Sequence, residues 1–413
     1  MSASSDDSGA TDAAYRRALL FIFITITVNS MGIGLIMPVM PDLLLDLTLD
    51  ASIGDAAWIG GWLTASYALA QFVMSPVLGN LSDAYGRRSV LLLSLLVMTI
   101  DYAVMAMAQS LWLLFAARIM AGAAAATFST ANAYIADISP PEKRAANFGL
   151  TGAAFGLGFV LGPAIGGVVG EFGPRMPFVA AAILTFGNMI FGYVALPESL
   201  KPENRRPFSL ARSSSIGAAL QMRKYPAVAW MLVAMFFYNL SHYVWPVVWS
   251  YFAKERFGWS PVDIGIALAA VGLSWAFVQG YLIRVILKRI GETRTALLGF
   301  AFDVVTLVCV AFVTEGWMVF AFIPFTALSA LVTPAMQGLM SNRIPDDAQG
   351  ELQGAVAAIA AIGFVLTPIV MAGLFQAFTS ADAPIYFPGA PFLAAAALSA
   401  FAILPFLIGQ KQR

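Results

Sequence analysis

The chain predicts an all-α membrane protein of twelve transmembrane helices, arranged as two six-helix bundles, and three observations carry that prediction. First, 60% of its 413 residues are hydrophobic and only 11% are charged. A soluble protein of this length cannot hide that much apolar surface, so the bilayer has to be part of its solvent. Second, apolar runs fall at 18–41, 57–79, 89–109, 111–135, 147–170, 177–196, 227–252, 262–286, 295–313, 316–338, 353–378 and 390–409. Each reaches the roughly 20 residues that cross the hydrocarbon as a helix. Third, one long polar insertion, 200–226, divides six of these runs from the other six.

Residues 1–14 are small, polar and acidic and read as a disordered tail. Arg16 and Arg17 then precede an apolar run too long for a cleavable signal core and without a small-residue cleavage site, so it reads as a retained first span. Between spans two and three lies Gly79-Asn-Leu-Ser-Asp83-Ala-Tyr-Gly86-Arg87-Arg88. A loop so short, with Asp and Arg beside glycines, makes defined contacts rather than acting as a tether. Spans three and four form a hairpin turning near residue 110, with Asp101 before the turn and Arg118 after it at nearly equal depth. They are a candidate buried ion pair. Arg118 either simply neutralises Asp101 or parts from it as a proton arrives, since desolvation raises a carboxylate's pKa and a nearby Arg lowers it.

Span five carries Gly152, Gly156, Gly158, Gly162-Pro163 and Gly166-Gly167. Gly158, Gly162, Pro163, Gly166 and Gly167 are read as a hinge, or as a surface for close static packing. The insertion 200–226 has six basic residues and reads as a linker, with room for a short helix on the cytoplasmic leaflet. It separates a bundle over 15–199 from one over 227–413. Spans seven and eight crowd Tyr238, Asn239, His242, Tyr243, Trp245, Trp249, Trp275 and Gln279. Trp249 and Trp259 suit an interfacial belt. Asn239, His242 and Gln279 need partners in apolar surroundings, which a water-lined cavity would supply. His242, the only histidine, either titrates or is a packed imidazole near the outer end of its span. Asp303 stands mid-span in span nine with no basic residue placed to match it in sequence. Such a carboxylate either carries a proton, its affinity changing with exposure, or stays protonated against a neighbouring helix.

With both termini cytoplasmic, 19 of the 23 Lys and Arg fall on inside loops and ends. Arg175, Lys254 and Arg256 fall outside and Arg118 within the membrane, as the positive-inside rule expects. The halves also echo each other at a constant offset of 205, which joins Gly86 to Gly291, Trp112 to Trp317 and Gly149 to Gly354. Parallel repeats about a midplane site follow from such a duplication. Zero net charge without a basic domain argues against nucleic acid. The lone Cys309 allows no intrachain disulfide or thiolate cluster. No Ser/His/Asp set, metal spacing or phosphate loop stands out, so no enzyme, cofactor or metal is expected. A receptor or scaffold is disfavoured by the lack of a soluble domain, and a channel by the duplicated halves.

The loop 79–88 resembles the signature loop of the major facilitator superfamily of transporters. Gly158-Phe-Val-Leu-Gly162-Pro163-Ala-Ile-Gly166-Gly167 resembles the glycine–proline motif of its drug antiporters. Met31-Gly-Ile-Gly-Leu-Ile-Met-Pro38, Tyr134-Ile-Ala-Asp137-Ile and Leu196-Pro-Glu-Ser199 are similar to segments of the bacterial tetracycline–proton antiporters. The resemblance covers essentially the whole chain. It implies the major facilitator fold, a multi-pass protein of the bacterial inner membrane working as a monomer, and exchange of an outgoing drug for protons as the halves rock. It further implies a conformational latch at Gly79, Asp83, Gly86, Arg87 and Arg88. Proton coupling is implied at Asp303, Asp101 and Arg118, and a substrate cavity at Asn29, Gln71, Asn239, His242, Trp275 and Gln279. The departures are Asn29, where the tetracycline exporters carry an acid, Trp275, near where some carry a histidine, and Ala84 in place of a motif arginine. The alternative is a proton-coupled carrier of a metabolite or an organic anion held by Arg118.

Overall fold

The computed structural model describes residues 4–48, 51–208 and 222–412. Its elements are all helical among the described residues. In the first half they are α1 Ser4–Ile36, α2 Met40–Leu47, α3 Ile53–Tyr85, α4 Arg87–Met107, α5 Leu111–Ala123, α6 Thr127–Ile138, α7 Pro141–Gly170 and α8 Met176–Ala195. In the second they are α9 Pro226–His242, α10 Val244–Phe257, α11 Pro261–Phe277, α12 Ile283–Ala311, α13 Gly316–Ala327, α14 Val332–Ser341, α15 Gln349–Thr379 and α16 Ala390–Lys411. The stretch expected as a disordered tail is helical from Ser4 onward. Most of the linker, with the surface helix expected there, lies outside the described residues.

Ten helical stretches are long and apolar enough to cross a membrane. One of them, Pro261–Ala311, is 51 residues long and is broken inside by Gly291 at φ 76°. α3, 33 residues long, is not among the ten, since its small and hydroxylated side chains lower its hydropathy. Three spans are themselves interrupted. α5 and α6 part at 124–126, α9 and α10 part at Tyr243, and a 3-10 turn, Leu328–Leu331, parts α13 from α14. The offset of 205 carries the first break onto the third. It also relates Gly86 at φ 104° to Gly291, and both of these conformations favour glycine.

Within the first half α1 packs along α7, α4 against α8 and α3 against α5; within the second α9 and α12 flank α16. The halves meet where α3 lies on α15 and α7 on α11. Close approaches between them gather at one end. Gln376 Nε2 donates to Asp55 Oδ1 at 2.8 Å, Lys254 Nζ lies 2.5 Å from Asp42 Oδ1, and Gly61 packs on Ala372 and Pro368. At the other end a Cβ on Gly79, Gly149, Gly152, Gly156, Gly280 or Gly350 would meet nothing within 4 Å. The close contacts between the halves named here lie at the end expected to face outward.

Candidate functional site

Between the halves, below the closed end, lies a cavity of 260 Å³. α1 contributes Asn29 and Ile33, α3 contributes Thr64, Tyr67 and Gln71, and α4 contributes Met98, Asp101 and Tyr102. Arg118 comes from α5, Phe155 from α7, Ser250 and Tyr251 from α10 and Phe364 from α15. Among the described residues, Asp101 and Arg118 are its only charged lining residues. The ion pair expected from the hairpin is present: Arg118 Nη2 meets Asp101 Oδ2, and Nε donates to Oδ1 at 3.3 Å. Asp101 is 1% exposed, and the Arg118 guanidinium stands 5.4 Å from the centroid of the Tyr67 ring. Burial of this order is tolerable only because each charge has its counter-charge. The walls are otherwise apolar, aromatic or neutral hydroxyl and amide groups, suited to an amphipathic molecule.

Of the six residues expected to line the cavity, Asn29 and Gln71 do so, and Asn239, His242, Trp275 and Gln279 are not in its wall. Gln279 is exposed on a π-helical turn, Val278–Leu282, following α11. The others form a separate cluster inside the second half. The His242 ring is stacked between Tyr238, with centroids 5.3 Å apart, and Trp275, 4.9 Å away. Its Nδ1 lies 3.9 Å from Asp303 Oδ1. The sequence places no basic residue opposite Asp303, and the fold brings His242 beside it. Spans seven and nine are not consecutive, so no hairpin register could reveal their common depth. Trp249 is likewise no belt residue: it is 4% exposed and sits in the core against Trp245 and Trp259.

The latch loop is tied within the first half. Gly86 ends α3 and starts α4 without an intervening residue. Arg87 Nη1 meets Asp83 Oδ1, and its Nε donates to Asp137 Oδ2 at 3.3 Å. Glu198, which sequence reasoning left unassigned, closes the assembly. Its carboxylate accepts from the backbone N–H of Arg87 at 2.9 Å and of Arg88 at 3.2 Å. It thereby caps the first turn of α4, where the helix dipole favours an anion. A Cβ on Gly86 would collide with that carboxylate. Arg88 Nη2 donates to the Tyr193 carbonyl at 2.7 Å. In the second half, Glu292 beside Gly291 accepts from Asn342 Nδ2 at 3.3 Å. Offset by 205, this is the place of the Arg87–Asp137 contact, with one charge reversed and the other lost.

On α7, Gly158, Gly162 and Gly166 lie against the backbone of α1 at Thr27, Met31 and Leu35, and Gly167 lies against Pro261 of α11. Pro163 sits inside a continuous α7. The glycines therefore serve close packing on both neighbours. The closed end adds two contacts that the sequence did not suggest, Asp42–Lys254 and Asp55–Gln376. Hydrogen bonds from Gln376 first and Ser52 second hold the Asp55 carboxyl below its usual range.

A family model described as the Major Facilitator Superfamily matches residues 22–368. The chain is 41% identical over 363 residues to "Tetracycline resistance protein, class C" of Escherichia coli, covering 88% of this chain and 91% of that one. It is 35% identical over 373 residues to the class G protein of Vibrio anguillarum, covering 89% and 92%. Among solved structures, a bacterial homologue of the human lysosomal transporter Spinster, inward-facing and unoccupied, matches with a TM-score of 0.78 over 97% of both chains. At 15% identity that likeness concerns the fold alone.

Proposed function

This chain belongs to the Major Facilitator Superfamily, and on that premise we propose that it is a proton-coupled antiporter that exports amphipathic, tetracycline-like compounds by alternating access. It is a transporter, not an enzyme, and its relatives bear the names of tetracycline resistance proteins. The observation that carries the reading is a single buried ion pair, Asp101–Arg118, in the wall of an otherwise uncharged cavity. With Asp101 ionised the wall is neutral; once Asp101 is protonated, Arg118 stands there as an unbalanced cation. Two unit charges 4 Å apart interact by about 4 kcal/mol at an effective dielectric of 20, roughly a thousandfold in an equilibrium constant. A cationic guest therefore prefers the ionised site and the proton excludes it, which is the competition an exchanger needs. An organic anion would have the reverse preference and would travel with the proton. Arg118 also has its Nη2 and Nε on Asp101, which disfavours the organic-anion alternative.

The contacts Asp55–Gln376 and Asp42–Lys254 support an inward-open state; the distribution of Lys and Arg supports cytoplasmic termini in the bacterial inner membrane, and one chain is the working unit. The latch of Gly79, Asp83, Gly86, Arg87 and Arg88, with Glu198, holds the inner ends of α3, α4, α6 and α8 as one body while the halves rock. Asp303 is the second proton-coupling group. The test is a susceptibility panel in an efflux-deficient host. Wild type raises tolerance to tetracycline or to other amphipathic compounds, and Asp303→Asn loses that tolerance at equal expression. No change for any compound in the wild type would sink the exporter reading.

A further inference from the structure

Apart from the cavity between the halves, α4 and α8 leave a groove of 330 Å³ between them. Leu92, Leu93 and Leu96 of α4 form one side, and Met189, Ile190 and Tyr193 of α8 the other. Leu92 and Met189 are half-buried and the other four are exposed, so the groove opens toward the surrounding lipid. Exposed Ile100 and Phe186, one turn further along each helix, continue the apolar strip. Arg88 stands one turn before Leu92, at the mouth of the groove. Its guanidinium lies 5.6 Å from the centroid of the Tyr193 ring, and its Nη2 donates to the Tyr193 carbonyl at 2.7 Å. From Arg88 to Leu96 the helix rises about 12 Å, within the roughly 15 Å that one leaflet contributes to the hydrocarbon core.

Any hydrocarbon fills such a groove; the charge at its mouth is what selects. Arg87 is committed to Asp83 and Asp137, whereas Arg88 and Lys201 enter none of the ion pairs among the described residues. The acid beside them, Glu198, has its two oxygens on the backbone N–H groups of Arg87 and Arg88. It also accepts from the N–H of Leu200 at 3.1 Å, which brings the exposed Lys201 to the first turn of α4. A guanidinium suits a phosphate through directed N–H groups, and an ammonium adds a point charge. Two cations without counter-charges thus sit over an apolar groove, at the end expected to face the anionic cytoplasmic leaflet.

We propose that this groove binds one anionic phospholipid, its phosphate on Arg88 and Lys201 and an acyl chain lying along Leu92, Leu96 and Met189. A free anion lacks the chain that the groove accepts, and a zwitterionic lipid leaves the two cations uncompensated. The bound lipid bridges α4 and α8, the same helices that Glu198 ties together. This binding is independent of what the chain transports.

Native mass spectrometry of the purified full chain reads the site, with phosphatidylglycerol or phosphatidylcholine of matched chains titrated in. A cation close to an anionic lipid is worth about fivefold in affinity. Wild type should therefore hold one phosphatidylglycerol at least about tenfold more tightly than phosphatidylcholine. Arg88→Gln combined with Lys201→Gln should remove that preference and leave phosphatidylcholine binding unchanged. If the double variant does not fold, Lys201→Gln alone, at an exposed position, should lose about fivefold. Leu96→Trp, on the exposed rim, should displace about two methylenes of the chain and weaken both lipids by about tenfold. Glycerol 3-phosphate, the head without its chains, should not displace the lipid. Equal affinity of wild type for the two lipids, or an unaltered preference in the charge variants, overturns the proposal. So does unaltered binding by Leu96→Trp, or displacement by glycerol 3-phosphate, which would make the mouth a free-anion site.

Discussion

Asp101 and Arg118 set how the cavity responds to substitution. Removing one partner of a buried pair leaves the other charge uncompensated, which costs about 3–5 kcal/mol, whereas removing both is often nearly neutral. Asp101→Asn should therefore lower the thermal stability of the detergent-solubilised protein strongly, and Asp101→Asn combined with Arg118→Gln should recover most of the loss. The double variant should still fail to export against a proton gradient. Recovery of export along with stability would show that the pair is structural only. This pair was legible in the sequence because a tight hairpin fixes the relative depth of its two arms. His242–Asp303 was not, since sequence gives each residue a depth within its own span but not which spans adjoin. Asn29 and Gln71 were legible as polar residues in apolar helices. Tyr67, Thr64, Ser250 and Tyr251 were not, because aromatic and hydroxyl side chains in a membrane span are ordinary on either face.

At the level of elements, the contacts most at risk are those made by single polar groups at helix ends. Glu198 follows α8 and caps α4 through two backbone N–H groups. Glu198 is exposed, so Glu198→Gln should destabilise the first half by only about 1 kcal/mol. It should nonetheless loosen the register between α4 and α8, read as faster hydrogen exchange in the first turn of α4. Unchanged protection there would remove Glu198 from the latch. At the opposite end, Gln376→Ala deletes the bond from α15 to Asp55, worth about 0.5–1.5 kcal/mol, so the ratio of closed to open molecules should fall by about twofold to tenfold in spin-label distance measurements. The sign of the pH effect follows from the lowered Asp55 titration. The bond stabilises the closed end above the ordinary carboxylate pKa of about 4 and is lost as pH falls through the depressed value. Wild type should thus approach the Gln376→Ala distribution only below about pH 4, and a variant with the wild-type distribution at pH 7 would rule the contact out as a gate. The spans themselves were legible from apolar run length, and Gly86 from its place in a turn without spare residues. The breaks within spans four, seven and ten were not, because their sequences are as apolar as intact helix.

Across the whole molecule, the hydrogen bond that joins the same two helices lies at one end. α3 and α15 touch through Asp55 and Gln376, while Gly79 and Gly350, near their other ends, have nothing within 4 Å of an added Cβ. Rigid halves moving about this seam exchange one contact set for the other. The packing of Gly158, Gly162 and Gly166 on the backbone of α1 makes the first half move as a block, since close-packed helices are bistable rather than deformable. The internal repeat explains why the motion is possible: corresponding breaks and positive-φ glycines give the halves similar shapes. It does not make them alike in charge, because Arg87–Asp137 has become Glu292–Asn342. At that place the second half therefore has a hydrogen bond where the first has an ion pair. With Cys309 replaced by Ser, a short bifunctional thiol reagent should couple Asp55→Cys to Gln376→Cys rapidly in resting membranes and stop export. The same reagent should couple Gly79→Cys to Gly350→Cys only when substrate and a proton gradient are both supplied. Equal coupling of the two pairs at rest would mean that the ends do not alternate, and the exchange of contacts along α3 and α15 would have to be abandoned.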